Sequence, residues 1–267
     1  GTETGVANLD AIIAADRLAD ELGLDSISAG VTIGFAMELF EKGILTTSDT
    51  GGIDLKFGND KAMMDMLRMM AFREGIGDIL SDGTKAAAQK IGKGSDKFAM
   101  NIKGLEMPAY DVRGAKAHGL NYATAYTGAD HNKGYAFQEI FGIPVPWEVD
   151  RLAIEGKGKL TKWNQDVRAV TCDCATMCAF ILDTALPATS TQNTAALMEA
   201  ITGLSFTADE VQRVGERLNN LAKAFNMREG FTRADDTFPE RLMTEPLKDG
   251  GSKGQLISKD DLKKMLD

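Results

Sequence analysis

Glycine closes one apolar-periodic run after another along this chain, and that recurrence constrains its fold more than any other feature. In NLDAIIAADRLADELG, Leu9, Ile12, Ile13, Leu18 and Leu22 recur near helical spacing, Asn8 stands where an N-cap belongs, and Gly23 suits the left-handed residue that ends a helix. Residues 28 to 43, SAGVTIGFAMELFEKG, repeat the scheme from Ser28 to Gly43, and residues 60 to 75 and 81 to 92 repeat it again. Thr207 and Glu210 have capping-box spacing ahead of a stripe of Val211, Val214, Leu218, Leu221 and Phe225. Strand signals are sparse, so the pattern predicts a mostly helical chain.

The segment from 95 to 150 breaks the pattern, with Gly, Pro and aromatic residues around KGLEMPAYDVRGAKAHGLNYATAYTGADHNKG. Irregular stretches of this length in helical proteins are often functional. TEPLKDGGSKGQL, residues 244 to 256, reads as a surface loop, and SKDDLKKMLD after it starts a new capped helix. That helix stops at its second turn and the chain begins with Gly, so the expectation is a piece cut from a longer protein. Neither a repeat of fixed period nor a low-complexity tract is present.

A formal charge of −9 and a pI near 4.9, with Lys and Arg scattered, oppose binding to nucleic acid or to an anionic membrane surface. No apolar run reaches the length of a membrane span, and GTETGVANLD lacks the charged and apolar regions of a signal peptide. These features predict a cytoplasmic protein with neither nucleic acid nor membrane as partner.

All three cysteines fall within CDCATMC, residues 172 to 178. An odd, tightly spaced set does not staple a fold. Spacing leaves two alternatives open: soft ligands to iron–sulfur or zinc, though a full site needs four, or buried cysteines acting as small apolar side chains. DELGLDS, residues 20 to 26, and DCATMCA, residues 173 to 179, share an Asp followed by a small residue at the fourth position, Leu or Met at the fifth, and Asp or Cys at the sixth. In each, a carboxylate near a tight turn is able to accept paired N–H donors from a planar heterocycle.

This pair resembles the twin D-x-x-G-L-[CD] pterin-binding motifs of the tungsten-containing aldehyde:ferredoxin oxidoreductases. GFAMELFEKGIL, REGIGDILSDG, KGLEMPAYDVRG, YATAYTGADH and FNMREGFTRADDTFPERL resemble the same family, in family order over nearly the whole chain. The resemblance implies an all-α C-terminal region. Residues 1–105 would be part of helical domain 2 and residues 106–267 a truncated helical domain 3, closing over tungsten held by two pterin dithiolenes. A magnesium ion bridging the pterin phosphates is a further expectation.

Carried over by resemblance, Asp20, Leu24, Asp25 and Ser26 serve one pterin, and Asp173, Met177 and Cys178 the other. Cys178 also ligates the [4Fe-4S] cluster, while Cys172 and Cys174 are given no role. Thr176 and Met177 depart from the usual Gly and Leu. His131 matches the family histidine near the metal, where imidazole can handle a proton at neutral pH. Lys133 matches a lysine whose charge offsets dithiolene or phosphate. His118 is assigned no role, and without a further histidine no iron is expected at a dimer interface.

The resemblance implies an enzyme that interconverts aldehydes and carboxylic acids and passes electrons to ferredoxin, as a homo-oligomer of the full-length protein. Residues 106 to 150 and 184 to 194 are expected to line the substrate channel, and the isolated chain is expected to be inactive. Two alternatives stand beside this one: a family subunit of a larger complex reducing aromatic thioesters or other acceptors, and a non-enzymatic helical interaction domain.

Overall fold

In the computed structural model, which describes residues 1–181 and 190–267, five helices come first: α1 (Leu9–Leu22), α2 (Ser26–Glu41), α3 (Asp60–Phe72), α4 (Ile76–Leu80) and α5 (Gly83–Ile91). Two short antiparallel strands follow, β1 (Asn101–Ile102) and β2 (Leu105–Glu106), with Asn101 opposite Glu106. Further α-helices among the described residues are α6 (Lys116–Thr124), α7 (Phe137–Ile140), α8 (Lys157–Arg168), α9 (Ser190–Thr202), α10 (Ala208–Arg228), α11 (Glu240–Thr244) and α12 (Lys259–Leu266). A π-helical turn, Ala169–Cys174, continues α8. Apart from one hairpin, the described residues form no strand, and the fold is all-α as expected. By its internal contacts the chain divides into two units, Gly1–Tyr110 with Pro239–Arg241, and Asp111–Phe238 with Leu242–Asp267. Of the channel segment expected at 184 to 194, residues 184 to 189 lie outside the described residues.

Helix α2 is the centre of the first unit. Ile33, Ala36, Met37 and Leu39 are fully buried, and Phe35 and Val31 nearly so, the all-round burial expected of a helix apolar on every face. Burying Ile33, Met37 and Leu39 contributes about 1.5–3 kcal/mol each. The helix begins two residues before the predicted Ser28, because Asp25 is its N-cap and accepts from the Ser28 N–H at 2.6 Å. In α1 the cap Asn8 and the left-handed Gly23 are as predicted. Its inward face is set by Ala15 and Ala19, with Ile12 and Leu18 beside them, and Leu9 and Ile13 point to solvent. Large apolar residues alone misplace that face, since alanines at its centre permit close packing. No single described helix is long and apolar enough to cross a membrane; α1 and α2 pass such a test only as a pair bent by 115°.

The second unit is built around α6, a helix inside the segment that reads as irregular in sequence. From Lys116 to Ala123 every residue is buried, polar ones included, so no amphipathic stripe reveals it. Its N-terminus has no side-chain cap of its own. Instead Glu139 Oε2 accepts from the N–H groups of Ala117 (2.9 Å) and His118 (3.1 Å), while Lys157 Nζ pairs with Oε1. Burial pushes the Glu139 carboxyl up, and Lys157 and the two N–H donors pull it back only in part. Helix α10 crosses α8 where Gly215 lies: a Cβ there would come within 1.8 Å of the Asp166 carbonyl oxygen. The α10 capping box is present as predicted, but its apolar stripe is buried only in its first turns. Val211 is 3% exposed, whereas Leu221 and Phe225 are 74% and 63% exposed.

His118 lies fully buried against Tyr122 and Tyr135, with ring centroids 4.8 and 5.0 Å away, and its Nδ1 accepts from the Ala136 N–H. Burial, aided by the positive charges of His131 and Arg168, holds its pKa at about 3. The folded protein therefore keeps His118 neutral while the unfolded chain protonates it below the ordinary value of about 6.5. Stability attributable to this site is complete above pH 6.5 and falls as pH drops from there toward 3, by about 1.4 kcal/mol per pH unit. Denaturant midpoints measured from pH 7 to pH 4.5 should show a steeper acid loss for the wild-type chain than for His118→Gln; parallel curves would refute this assignment.

Candidate functional site

Both motifs singled out in the sequence are helix ends with the same backbone signature. Helix α1 stops at Gly23, whose φ is 68°, and the Leu24 N–H returns to the Ala19 carbonyl at 2.8 Å, a Schellman closure. Asp20 is thus exposed on the last turn of α1, Leu24 packs on the core, Asp25 caps α2, and Ser26 is the first residue of α2. In the second motif the left-handed residue is Thr176, φ 54°, at the position where Gly23 stands in the first. The Met177 N–H returns to the Thr171 carbonyl at 3.0 Å, six residues back where Leu24 reaches five, because the π-helical turn holds one more residue. The departure from Gly noted in the sequence leaves this turn conformation in place. A β-branched residue there is a genuine outlier, costing about 1–2 kcal/mol.

The second end carries a polar cluster. Lys133 Nζ lies 3.1 Å from both Asp173 carboxylate oxygens, Tyr126 Oη donates to Asp173 Oδ2 at 3.1 Å, and the ammonium stands 5.0 Å from the Tyr126 ring centroid. Burial presses the Lys133 pKa down, but hydrogen bonds to Tyr126 and Asp173 outweigh it and the net shift is upward, keeping the ammonium charged. Burial raises the Tyr126 phenol, which therefore keeps its proton and donates.

His131 and Lys133 share one 3-10 turn, His131–Lys133, capped by Asp130, whose carboxylate accepts from the Asn132 N–H at 2.8 Å. Asn121 of α6 holds the Asp130 carbonyl at 3.0 Å. The half-buried His131 ring meets Tyr135 edge-on at 6.1 Å, and the Arg168 guanidinium lies 5.6 Å from the same Tyr135 ring. The second unit therefore brings Lys133 directly onto Asp173, with His131 on the same turn as Lys133, and Met177 and Cys178 following Asp173 past the left-handed residue. Asp20, Leu24, Asp25 and Ser26 form their own group in the first unit.

Cys174 and Cys178 are exposed thiols and Cys172 is half-buried, so the packing role left open in the sequence fits at most Cys172. Burial and the neighbouring Asp173 raise the Cys174 thiol. Among the described residues no three His, Cys, Asp or Glu side chains converge as a metal site. Tyr126 lies within YATAYTGADH but is not legible as a site residue there, because a lone tyrosine carries no spacing signal.

Both units are helical, and each carries one aspartate-bearing helix end of this form. The family model described as "Aldehyde ferredoxin oxidoreductase, domains 2 & 3" matches residues 1–267, and the chain belongs to that family. It is 36% identical over 271 residues to the tungsten-containing aldehyde ferredoxin oxidoreductase of Pyrococcus horikoshii, and 37% over 269 residues to that of Pyrococcus furiosus. The whole chain aligns in both, yet it covers 43% of each relative's length. The "aliphatic sulfonate oxidoreductase, WOR-like subunit" of Pyrococcus furiosus is 30% identical over 275 residues, taking in 98% of the chain and 40% of that protein. Among solved structures, the active-site complex BamBC of benzoyl coenzyme A reductase, in complex with 1,5-dienoyl-CoA, superposes with a TM-score of 0.68 at 25% identity. That match covers 86% of this chain and 40% of the other.

The two helix ends respond to substitution in opposite directions. Gly23→Thr should lower stability by about 1–2 kcal/mol, whereas Thr176→Gly should leave it unchanged or raise it by up to about 1 kcal/mol after the entropy cost of glycine. Denaturant unfolding of both variants checks this, and a loss of stability in Thr176→Gly would show that the threonine side chain is needed there.

Proposed function

We propose that this chain supplies helical domains 2 and 3 of a longer tungstopterin oxidoreductase that interconverts aldehydes and carboxylic acids and delivers electrons through a [4Fe-4S] cluster to ferredoxin. The observation that carries this reading is Asp173, a partly exposed carboxylate held at a π-wound helix end by one cation and one phenol, in a chain of this family. The residues fit such a cofactor. Asp173 offers acceptors for the N–H edge of a pterin, Lys133 offers charge against its dithiolene or phosphate, and Cys178 is an exposed thiol of the soft type a cluster iron takes. In the first unit Asp20 and Asp25 present carboxylates at the matching helix end, and Asp25 Oδ1 is already spent on the Ser28 N–H.

When bound, the tungsten centre supplies the two-electron chemistry between aldehyde and acid. Everything else is done by side chains. Asp20 and Asp173 orient the two heterocycles, Leu24 and Met177 flank them, and Ser26 adds a donor at the start of α2. His131 takes or gives the proton that accompanies the conversion, a task an imidazole side chain suits. Tyr135, 7% exposed and edge-on to the imidazole, limits how far it can swing.

A second reading, a family subunit of a complex acting on another acceptor, draws support from the relative that is a subunit of a sulfonate oxidoreductase and from the likeness to BamBC. Co-purification of the full-length protein with flavin or additional iron–sulfur subunits, together with no aldehyde oxidation, would favour it over the first.

In the full-length protein, Asp20→Ala and Asp173→Ala should each lower tungsten and pterin content about tenfold or more, since each removes charge-assisted hydrogen bonds to the heterocycle, with little change in the melting temperature of the cofactor-stripped protein. Wild-type cofactor content in both variants would sink the assignment. His131→Asn should keep the cofactor and cut turnover by about 10²–10⁴-fold; unchanged turnover would remove it from the mechanism.

A further inference from the structure

We propose that Tyr126 is a further positioning residue of the second pterin site: its hydroxyl fixes Asp173 so that the carboxylate is divided among Tyr126, Lys133 and the heterocycle. The inference rests on the reading of Asp173 given under Proposed function.

A carboxylate has about four lone-pair sites on its two oxygens. In the structure Lys133 Nζ bridges both oxygens at 3.1 Å and Tyr126 Oη engages Oδ2 at 3.1 Å, so three of these sites are engaged. A planar heterocycle with paired N–H donors needs one site on each oxygen. The count closes in one way that retains both side chains. Tyr126 keeps its site on Oδ2, Lys133 draws back to Oδ1 alone, and one site on each oxygen is left for the heterocycle. Without the phenol one site on each oxygen is free even with the ammonium bridging, but the carboxylate, whose terminal torsion is intrinsically broad, is then held by a flexible lysine alone and its free sites keep no fixed direction.

Tyr126 is suited to be the fixed partner. Its carbonyl oxygen accepts from Asn226 Nδ2 of α10 at 2.7 Å, which pins its backbone a hundred residues away in sequence. It lies two residues past the C-terminal end of α6, where the Ala125 N–H bonds the Asn121 carbonyl. Its ring lies 5.0 Å from the lysine ammonium, so the same side chain that holds Oδ2 also holds the cation beside the carboxylate. Lys133, by contrast, swings on a flexible four-carbon stem and is the member able to shift.

The test is a double-mutant cycle in the full-length holoprotein, comparing wild type, Tyr126→Phe, Asp173→Asn and the double variant. Tungsten and pterin retained per polypeptide are read after anaerobic dialysis, and melting temperature is measured on all four. Tyr126→Phe keeps the ring under the ammonium and removes only the hydroxyl, so cofactor retention should fall about tenfold while melting of the cofactor-stripped protein is unchanged. In the Asp173→Asn background the same substitution should have no further effect.

Wild-type retention in Tyr126→Phe beside a clear loss in Asp173→Asn would overturn the role of Tyr126 and leave the Asp173 reading intact. An equal loss from Tyr126→Phe in both backgrounds would make Tyr126 a general structural residue and also overturn it. Full retention in Asp173→Asn would instead refute the pterin reading of Asp173 itself, and this inference with it. Should Tyr126→Phe fail to fold, Asn226→Ala, which unpins the Tyr126 backbone and leaves the phenol in place, runs through the same cycle. It is expected to give a smaller loss confined to the Asp173 background, and additive losses would count against the proposal.

Discussion

Glu139 sits wholly out of solvent, with two backbone N–H groups of α6 on one oxygen and the ammonium of Lys157 on the other. An isolated buried carboxylate costs several kcal/mol, and a buried ion pair adds little net stability over a well-packed apolar substitute. What the pair does in this chain is fix position. Helix α6 has no N-cap side chain of its own, so Glu139 determines where its first turn lies. From α6 the consequences run outward: Asn121 holds the Asp130 carbonyl, Asp130 caps the turn bearing His131 and Lys133, and Tyr126 follows the helix end onto Asp173. Every candidate residue of the second unit before Asp173 is therefore placed through one helix whose own placement depends on a buried carboxylate.

On the opposite side of that cluster the chain solves a spacing problem. Asp173 has to stand three residues before a left-handed position, as Asp20 does, yet it also has to meet Lys133 from the end of α8. The π-helical turn over Ala169–Cys174 inserts the extra residue that alters the direction of the helix end without altering the motif after it. Thr171, buried inside that turn, donates to the Val167 carbonyl, the side-chain back-bond that often bends helices. Strain at Thr176 is then held by neighbouring hydrogen bonds, in keeping with the tendency of such outliers to sit where function constrains the backbone.

Much of the fold is legible in the sequence because its punctuation is local. Asn8, Gly23 and the Thr207–Glu210 box act through groups within a few residues, and a pattern of residue types suffices to read them. Legibility fails wherever a distant group decides. Helix α6 escapes notice because Glu139, more than twenty residues away in sequence from Ala117, does the capping, and because burial on all sides erases its amphipathic stripe. The inward face of α1 is misread because two alanines, not its largest apolar residues, define it. The candidate site divides along the same line. Asp20, Asp173, His131 and Lys133 stand in recognisable motifs, whereas Tyr126 gains its place only from Asn226 and Lys133, contacts made across the fold.

The twin motifs also differ at their sixth position, and the difference has a physical logic. In the first, that residue is Asp25, whose carboxylate caps α2 through the Ser28 N–H, a contact of the kind that contributes about 1 kcal/mol. One of its oxygens is thereby committed to the fold. In the second, the same position is Cys178, an exposed thiol that is a poor acceptor for a helix N-terminus and a good soft ligand. That thiol stands beside an aspartate held by a lysine and a tyrosine. The first motif thus stabilises the unit that contains it, while the second, after an irregular turn, carries an exposed carboxylate and an exposed thiol. That asymmetry matches the proposed division of labour, in which both ends hold a heterocycle but only the second hands electrons onward.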